Sequence, residues 1–357
     1  MPPAALPRAG LASSKKGRAR SYIERSEVSP PQATLGRDSG CWRVCAHEAS
    51  SSSIRADTRA LQLIMGLGGN FTSWQIQTNY FGHVHGDRYS VLVLDNRGIG
   101  RSDKPLRRYT TSCMARDVIE VIDNAGWRAP RELNVVGISL GGMIAQEMAC
   151  LVPERLQSLT LLCTSAYVES ASDQSWTTAA WERMKLFRPK SETQAVRDMA
   201  QSIFVPEFLE ARDEFELPSP RTTPDVGPAK TPDGEYPRFD SNYQRFQAQE
   251  LHKRHGALSG SSFTKQGFFC QLLAAAGHRK SPEQLKKMAD AVGRERIMVM
   301  HGTRDKMLVV RNGEKLISAI EPGTGMIVDD LGHAPIFERS VWFNELLDER
   351  LRIWAKL

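Results

Sequence analysis

Leu133-Asn134-Val135-Val136-Gly137-Ile138-Ser139-Leu140-Gly141-Gly142-Met143-Ile144-Ala145 reads as a short apolar strand, one sharp turn carrying a serine, and then a helix. The serine sits in Gly-x-Ser-x-Gly. A residue on a tight strand-to-helix turn is held in a strained backbone conformation, so its neighbours must lack a bulky Cβ. The helix that follows aims its N-terminal N–H groups at negative charge developing beside the serine. The pentapeptide by itself is a weak signal, and its setting in the chain decides the reading.

Outward from this stretch, strands and helices alternate. Residues 41–47 fit an edge strand, and 61–65 and 90–95 fit buried strands. Residues 72–78 fit a short helix. Residues 111–125 carry apolar side chains at helical spacing (Met114, Val118, Val121, Ile122) and stop at Gly126. A helix over 140–151 closes at Pro153, and 159–163 is the next strand. The rhythm resumes with strands at 296–300 and 325–328, a helix at 313–320 and a C-terminal helix from about residue 341. Such alternation predicts an α/β architecture, a doubly wound and mostly parallel sheet. The break at 165–291 is helix-rich around 181–187, 192–204 and 266–276, with a proline-crowded middle at 217–237. The expected organisation is a disordered extension over 1–40, a core over 41–164 and 292–357, and a cap inserted at 165–291.

The net charge of +6 is concentrated at Arg8, Lys15, Lys16, Arg18, Arg20 and Arg25, leaving a nearly neutral body. No basic stripe interleaves with aromatics, so nucleic acid is not an expected partner. The six cysteines make no CxxC pair and no zinc spacing, and Cys150 and Cys163 fall in apolar patterns that suit reduced core thiols. No apolar run reaches the ~18 residues of a membrane span, and the start lacks the apolar core of a secretory signal. The Arg-rich opening leaves an organellar transit peptide as the lesser alternative to an unstructured extension.

A serine hydroxyl needs a base to take its proton, and the base needs an acid to fix its tautomer. Asp305 in His301-Gly302-Thr303-Arg304-Asp305 and His333 in Asp329-Asp330-Leu331-Gly332-His333 each follow a later strand. The order Ser139, Asp305, His333 is the one this architecture uses. Asp329 and Asp330 are rival acids, but they lie too near His333 in the chain to reach its far ring nitrogen with ease. The turn at 95–102 is expected to be structural, with Arg97 and Asp103 bracing it. Tyr167, Trp181 and Phe268 or Phe269 are candidates to line the cap.

These motifs, with Met65-Gly66-Leu67-Gly68-Gly69, Asp95-Asn96-Arg97-Gly98-Ile99-Gly100-Arg101-Ser102 and Gly332-His333-Ala334-Pro335, resemble the α/β-hydrolase superfamily over residues 61 to the C-terminus. The likeness is to esterase-like members with a helical lid inserted after the sixth strand. It implies an oxyanion hole made by the backbone N–H groups of Leu67 and Leu140, although Met65 stands where the family often has histidine. It also implies cleavage of a carboxylic ester or thioester through an acyl-serine, with a small-molecule acyl substrate and neither metal nor organic cofactor. Relatives that open epoxides or displace halides carry aspartate at the position of Ser139. A triad enzyme cleaving amide or carbon–carbon bonds, and a non-catalytic binding protein on the same fold, remain open alternatives. The closing Ala355-Lys356-Leu357 resembles the Ser-Lys-Leu address. Its implication is a peroxisomal location with the import receptor as partner, and a cytoplasmic one otherwise.

Overall fold

The structure is a computed structural model that describes residues 58–167, 191–215, 236–255 and 263–357, with the backbone of two further strands at 22–25 and 45–48. Eight strands form one sheet: β1 (Tyr22–Arg25), β2 (Cys45–Glu48), β3 (Arg59–Ile64), β4 (Tyr89–Asp95), β5 (Leu133–Ile138), β6 (Leu156–Leu162), β7 (Ile297–Gly302) and β8 (Thr324–Val328). Their order is β1-β2-β4-β3-β5-β6-β7-β8. Strands β3 to β8 run parallel, and β2 pairs antiparallel with β4. Strand β1 lies within the stretch read from sequence as unstructured. Four residues between proline- and serine-rich flanks carry too short a pattern to register as a strand. The rest of 1–40 lies outside the described residues.

Among the described residues the α-helices of five residues or more are α1 (Thr111–Asn124), α2 (Leu140–Leu151), α3 (Glu192–Ile203), α4 (Pro206–Glu210), α5 (Asn242–His255), α6 (Lys265–Gly277), α7 (Pro282–Val292), α8 (Arg311–Ile320) and α9 (Ser340–Trp354). Helices α3 to α7 lie in the connection between β6 and β7. The helix expected at 181–187, Trp181 and nearly all of 217–237 fall outside the described residues. Helix α5 was not anticipated, because Asn-Tyr-Gln-Arg-Phe-Gln-Ala-Gln-Glu-Leu-His-Lys-Arg-His has too few apolar residues for a visible stripe.

The central strands are buried on both faces, which is why they read as apolar runs rather than alternations. Successive side chains still divide between the two cores. Leu133, Val135, Ile297 and Val299 join the layer under α1, α2, α7 and α8. Val136, Ile138, Met298 and Met300 join the layer under α9, with Trp74, Phe81, Phe343 and Trp354. Past α9, Ala355, Lys356 and Leu357 are exposed. Among the described residues no helix is long and apolar enough to cross a membrane.

Register sets the loops beyond the strand ends. Ile64 pairs with Gly137, Leu162 with Met300, and Gly302 with Val328, so β3, β5, β6, β7 and β8 finish along one edge. At the β5–α2 junction the backbones meet too closely for any side chain. A Cβ on Gly137 would stand 2.3 Å from the Gly141 carbonyl oxygen, and one on Gly141 would stand 2.1 Å from that of Ile64.

Behind that junction, buried Glu147 on α2 gathers three segments. It accepts from Ser112 at 2.9 Å and Thr111 at 3.2 Å at the start of α1, and from Lys280 at 2.7 Å after α6. His278 lies 3.5 Å from it. Burial pushes its carboxyl up, but His278, Lys280 and Ser112 outweigh that and bring it down to about 2. Cys150, expected in the core, is exposed at the end of the same helix, whereas Cys163 is buried.

Two outcomes follow for the fold. Gly141→Ala forces Ile64 off its β3 position, so urea unfolding should show a loss of roughly 1–3 kcal/mol, accompanied by loss of any reactivity at Ser139. Glu147→Gln should lower stability by roughly 2–3 kcal/mol at pH 7. Because the folded carboxyl lies below the ordinary 4.5, this stabilisation is complete above about pH 4.5. It is lost as pH falls toward about 2, so the gap between variant and native unfolding curves should close over that window.

Candidate active site

Ser139 occupies the turn between β5 and α2 with φ 56° and ψ −122°, a left-handed conformation that a side-chain-bearing residue adopts only under constraint. The constraint is visible. The Ser139 N–H donates to the Leu162 carbonyl at 2.9 Å, and its own carbonyl accepts from Thr164 Oγ1 at 2.7 Å. Leu140 opens α2, so its N–H belongs to the first turn, which has no carbonyl behind it within the helix. The loop after β3 crosses directly over the serine. A Cβ on Gly66 would lie 3.0 Å from Ser139 Cβ, and Leu67 follows at the next position.

His333 and Asp305 arrive from the loops after β8 and β7. Asp305 Oδ2 accepts from His333 Nδ1 at 2.7 Å, and both groups are buried. Asp305 Oδ1 accepts from the N–H groups of Met307 at 2.8 Å and Leu308 at 2.9 Å. His301 adds a contact that sequence reading missed, with Nε2 3.1 Å from Asp305 Oδ2 and 2.6 Å from the Leu308 carbonyl. Burial pushes the Asp305 carboxyl up. The His333 charge and the hydrogen bonds from His301 and His333 overcome it, leaving the carboxyl well below the ordinary carboxylate range. An ionised acceptor on Nδ1 favours the tautomer of the neutral ring that carries its proton there, with the lone pair on Nε2.

The rival acids fall away. Asp329 and Asp330 are exposed, and the Asp330 N–H donates to the Thr303 hydroxyl at 3.1 Å. Cys163, the residue after β6, offers a third ligand-type atom within 4.8 Å of Asp305 and His333. Burial and the nearby Asp305 charge hold that thiol far above its usual range. Asp305 and His333 are hydrogen-bonded to each other, whereas the Cys163 thiol donates to the Gly332 carbonyl at 3.8 Å.

Ser139, His333, Gly66, Leu67 and Gly68 line one cavity of about 120 Å³. Its other walls are largely apolar and aromatic: Phe204 and Phe246 from the inserted helices, Phe263 and Phe268 beside α6, Phe337 after β8. Of the aromatics expected there, Phe268 lines it, Phe269 is exposed, and Tyr167 stacks against Lys315 elsewhere. Arg97 makes a bidentate pair with Asp117 on α1, not with Asp103. The turn at 95–102 is braced by the Asp103 carbonyl, which accepts from the Gly98 N–H at 2.9 Å, and by buried Asp95, which accepts from the N–H groups of Phe71 and Arg101, each at 2.9 Å. Glu338 steadies the His333 loop by accepting from Gly332 at 3.1 Å and Val205 at 3.3 Å.

Comparison with known proteins agrees with this geometry. The 3-oxoadipate enol-lactonase 2 of Acinetobacter baylyi is 32% identical over 162 residues, 45% of this chain. The chain spans about half the length of the curated relatives it matches, 55% for this one. The solved enol-lactonase of Burkholderia xenovorans superposes with a TM-score of 0.60 at 19% identity, covering 87% of this chain and 96% of that one. A thermophilic esterase from Thermogutta terrifontis gives 0.60 at 19% identity, covering 87% and 93%. The family model described as the alpha/beta hydrolase fold matches residues 60–340. With strand order, elbow and loops all in register, the chain belongs to the alpha/beta-hydrolase family.

Proposed function

We propose that the protein is a serine hydrolase that cleaves a carboxylic ester, lactones included, through an acyl-serine intermediate. The observation that carries the reading is the 2.7 Å contact of Asp305 with His333 Nδ1, on a histidine that shares its cavity with an elbow serine. In this reading His333 Nε2 takes the Ser139 proton as Oγ attacks the acyl carbonyl. The developing oxyanion is met by the N–H groups of Leu67 and Leu140, donors worth about 2.7–4 kcal/mol each in comparable sites. Collapse breaks the bond to the alcohol oxygen, which leaves with the proton held by His333. A water, deprotonated by the same imidazole, attacks the acyl-serine and regenerates Ser139. The start of α2 adds its dipole to the same negative charge.

The aromatic and aliphatic walls favour an uncharged acyl group, since an ion placed there would lose hydration without a partner. The charged side chains among the lining residues besides His333 are Glu250 and Lys253, and they are paired with each other. The names of the lactonase and esterase relatives support ester-type substrates over others that Ser-His-Asp sites accept.

A fluorophosphonate probe should label the native protein at Ser139, located by peptide mass spectrometry, and should leave Ser139→Ala unlabelled. A well-folded native sample that takes no label sinks the proposal. Asp305→Asn should preserve the fold yet lower turnover of an activated ester by about 10³–10⁴-fold, because the amide allows the wrong imidazole tautomer. Asp329→Asn and Asp330→Asn, on the exposed turn, should change that turnover little.

A further inference from the structure

The loop that crosses Ser139 is a turn closed by the Gly69 N–H on the Gly66 carbonyl at 3.3 Å, with Gly68 at φ +69°. Gly66, Gly68 and Gly69 surround Leu67 with residues that resist rotation poorly. A peptide flip here would turn a carbonyl toward the space where an oxyanion hole needs an N–H. Something outside the loop must therefore fix its peptide planes.

Two side chains from the inserted helices do so. Gln271 on α6 is fully buried, and its Oε1 accepts from the Gly68 N–H at 2.9 Å while its Nε2 donates to the Arg97 carbonyl at 2.8 Å. Arg97 is itself tied to Asp117 on α1, so the anchor reaches the core. Lys253 on α5 donates to the Gly68 carbonyl at 3.1 Å and is held by Glu250 one turn earlier. Lys253 and Glu250 are each 8% exposed. Such a buried ion pair is costly to desolvate and adds little stability against an apolar pair of the same size. Here its ammonium holds the carbonyl of the Gly68–Gly69 peptide, while Gln271 holds the N–H of the preceding Leu67–Gly68 peptide.

We infer that Lys253 and Gln271 are positioning residues that fix the two peptides flanking Gly68, and through the Gly69-to-Gly66 hydrogen bond of the same turn keep the Leu67 N–H aimed at the reacting carbonyl. The inference rests on the serine-hydrolase reading above. The inserted helices then contribute to transition-state stabilisation without touching the substrate's reacting atoms, and the hole is aligned only while α5 and α6 are seated.

The test uses Lys253→Met and Gln271→Met, which keep side-chain length, their double variant, and Lys253→Arg, which keeps a donor. Turnover of p-nitrophenyl butyrate gives kcat and KM. Inhibition by butylboronic acid, which forms a tetrahedral adduct on serine, reads the hole directly. Each single variant should lower kcat roughly tenfold, below the 10²–10³-fold expected for deleting an oxyanion donor outright, with KM little changed. The boronate Ki should rise by the same factor as kcat falls, since both report the tetrahedral state. The double variant should lose less than the product of the singles, because both grip one residue, and Lys253→Arg should recover most of the activity. Thermal unfolding confirms that the variants compared are folded, and Lys253→Met alone decides the matter where Gln271→Met is not. Unchanged kcat, a loss confined to KM, or an unaltered boronate Ki overturns the clamp while fluorophosphonate labelling of native Ser139 keeps the hydrolase reading standing. A native protein that neither labels nor hydrolyses the ester overturns both.

Discussion

A helix that begins on the residue after Ser139 can pass the end of β3 only where the chain has no side chain. The 2.1 Å separation between a Gly141 Cβ and the Ile64 carbonyl oxygen expresses that limit. Much of the site descends from it. Close passage of α2 against β3 brings the Met65–Gly69 loop over the serine, and the parallel register of β3 with β5 keeps the two level. The same crowding holds Ser139 at φ 56°, which lifts its side chain off the sheet and into the cavity. Steric exclusion, rather than any single favourable contact, selects the geometry. The hydrogen bonds from Ser139 N–H and to its carbonyl then stabilise a conformation already chosen.

The second constraint is electrostatic. A buried carboxylate is tolerated only when its oxygens are occupied by donors. Asp305 meets that condition with two backbone N–H groups on Oδ1 and two imidazoles on Oδ2. The arrangement does two things at once. It keeps the carboxylate ionised against burial, and it occupies Nδ1 of His333, which in the proposed reading leaves Nε2 to act as the base. His301 matters because it shares the load on Oδ2 from the strand side. Its Nε2 is held by both Asp305 and the Leu308 carbonyl, so it also fixes the turn that carries Asp305.

The parts of this site that can be read from the chain are those set by local pattern. The elbow glycines, an acid past β7 and a histidine past β8 each sit at a fixed offset from an apolar strand, and strands are recognisable by their runs. Contacts that depend on where distant segments meet left no such mark. Arg97 was readable as a brace of its loop, but its partner Asp117, 20 residues on in α1, was not. Gln271 and Lys253 lie 203 and 185 residues from Gly68, on helices whose sequence says nothing about what faces them. Cys150 looked like core for the opposite reason: it lies in the last turn of an apolar helix, where it and Leu151 both turn outward.

The inserted helices are bound to the core through both loops that line the cavity. On the histidine side, the His333 N–H donates to the Ile203 carbonyl at 2.7 Å, and Val205 N–H donates to Glu338, which also holds Gly332. On the serine side, Gln271 and Lys253 hold Gly68. Helix α3 and helices α5 and α6 therefore stand on opposite banks of the cavity, and Phe204 and Phe246 meet edge to face between them at 5.3 Å. A segment joined in this way cannot swing open as a unit without breaking charge-assisted and backbone hydrogen bonds at both banks. Substrate exchange in such an arrangement falls to side chains and to smaller displacements of one bank at a time. The cluster that roofs the cavity, Phe204 with Phe208, Phe246 and Phe337, is held by ring contacts, and in the proposed ester-cleaving reading its shape sets which acyl group is admitted.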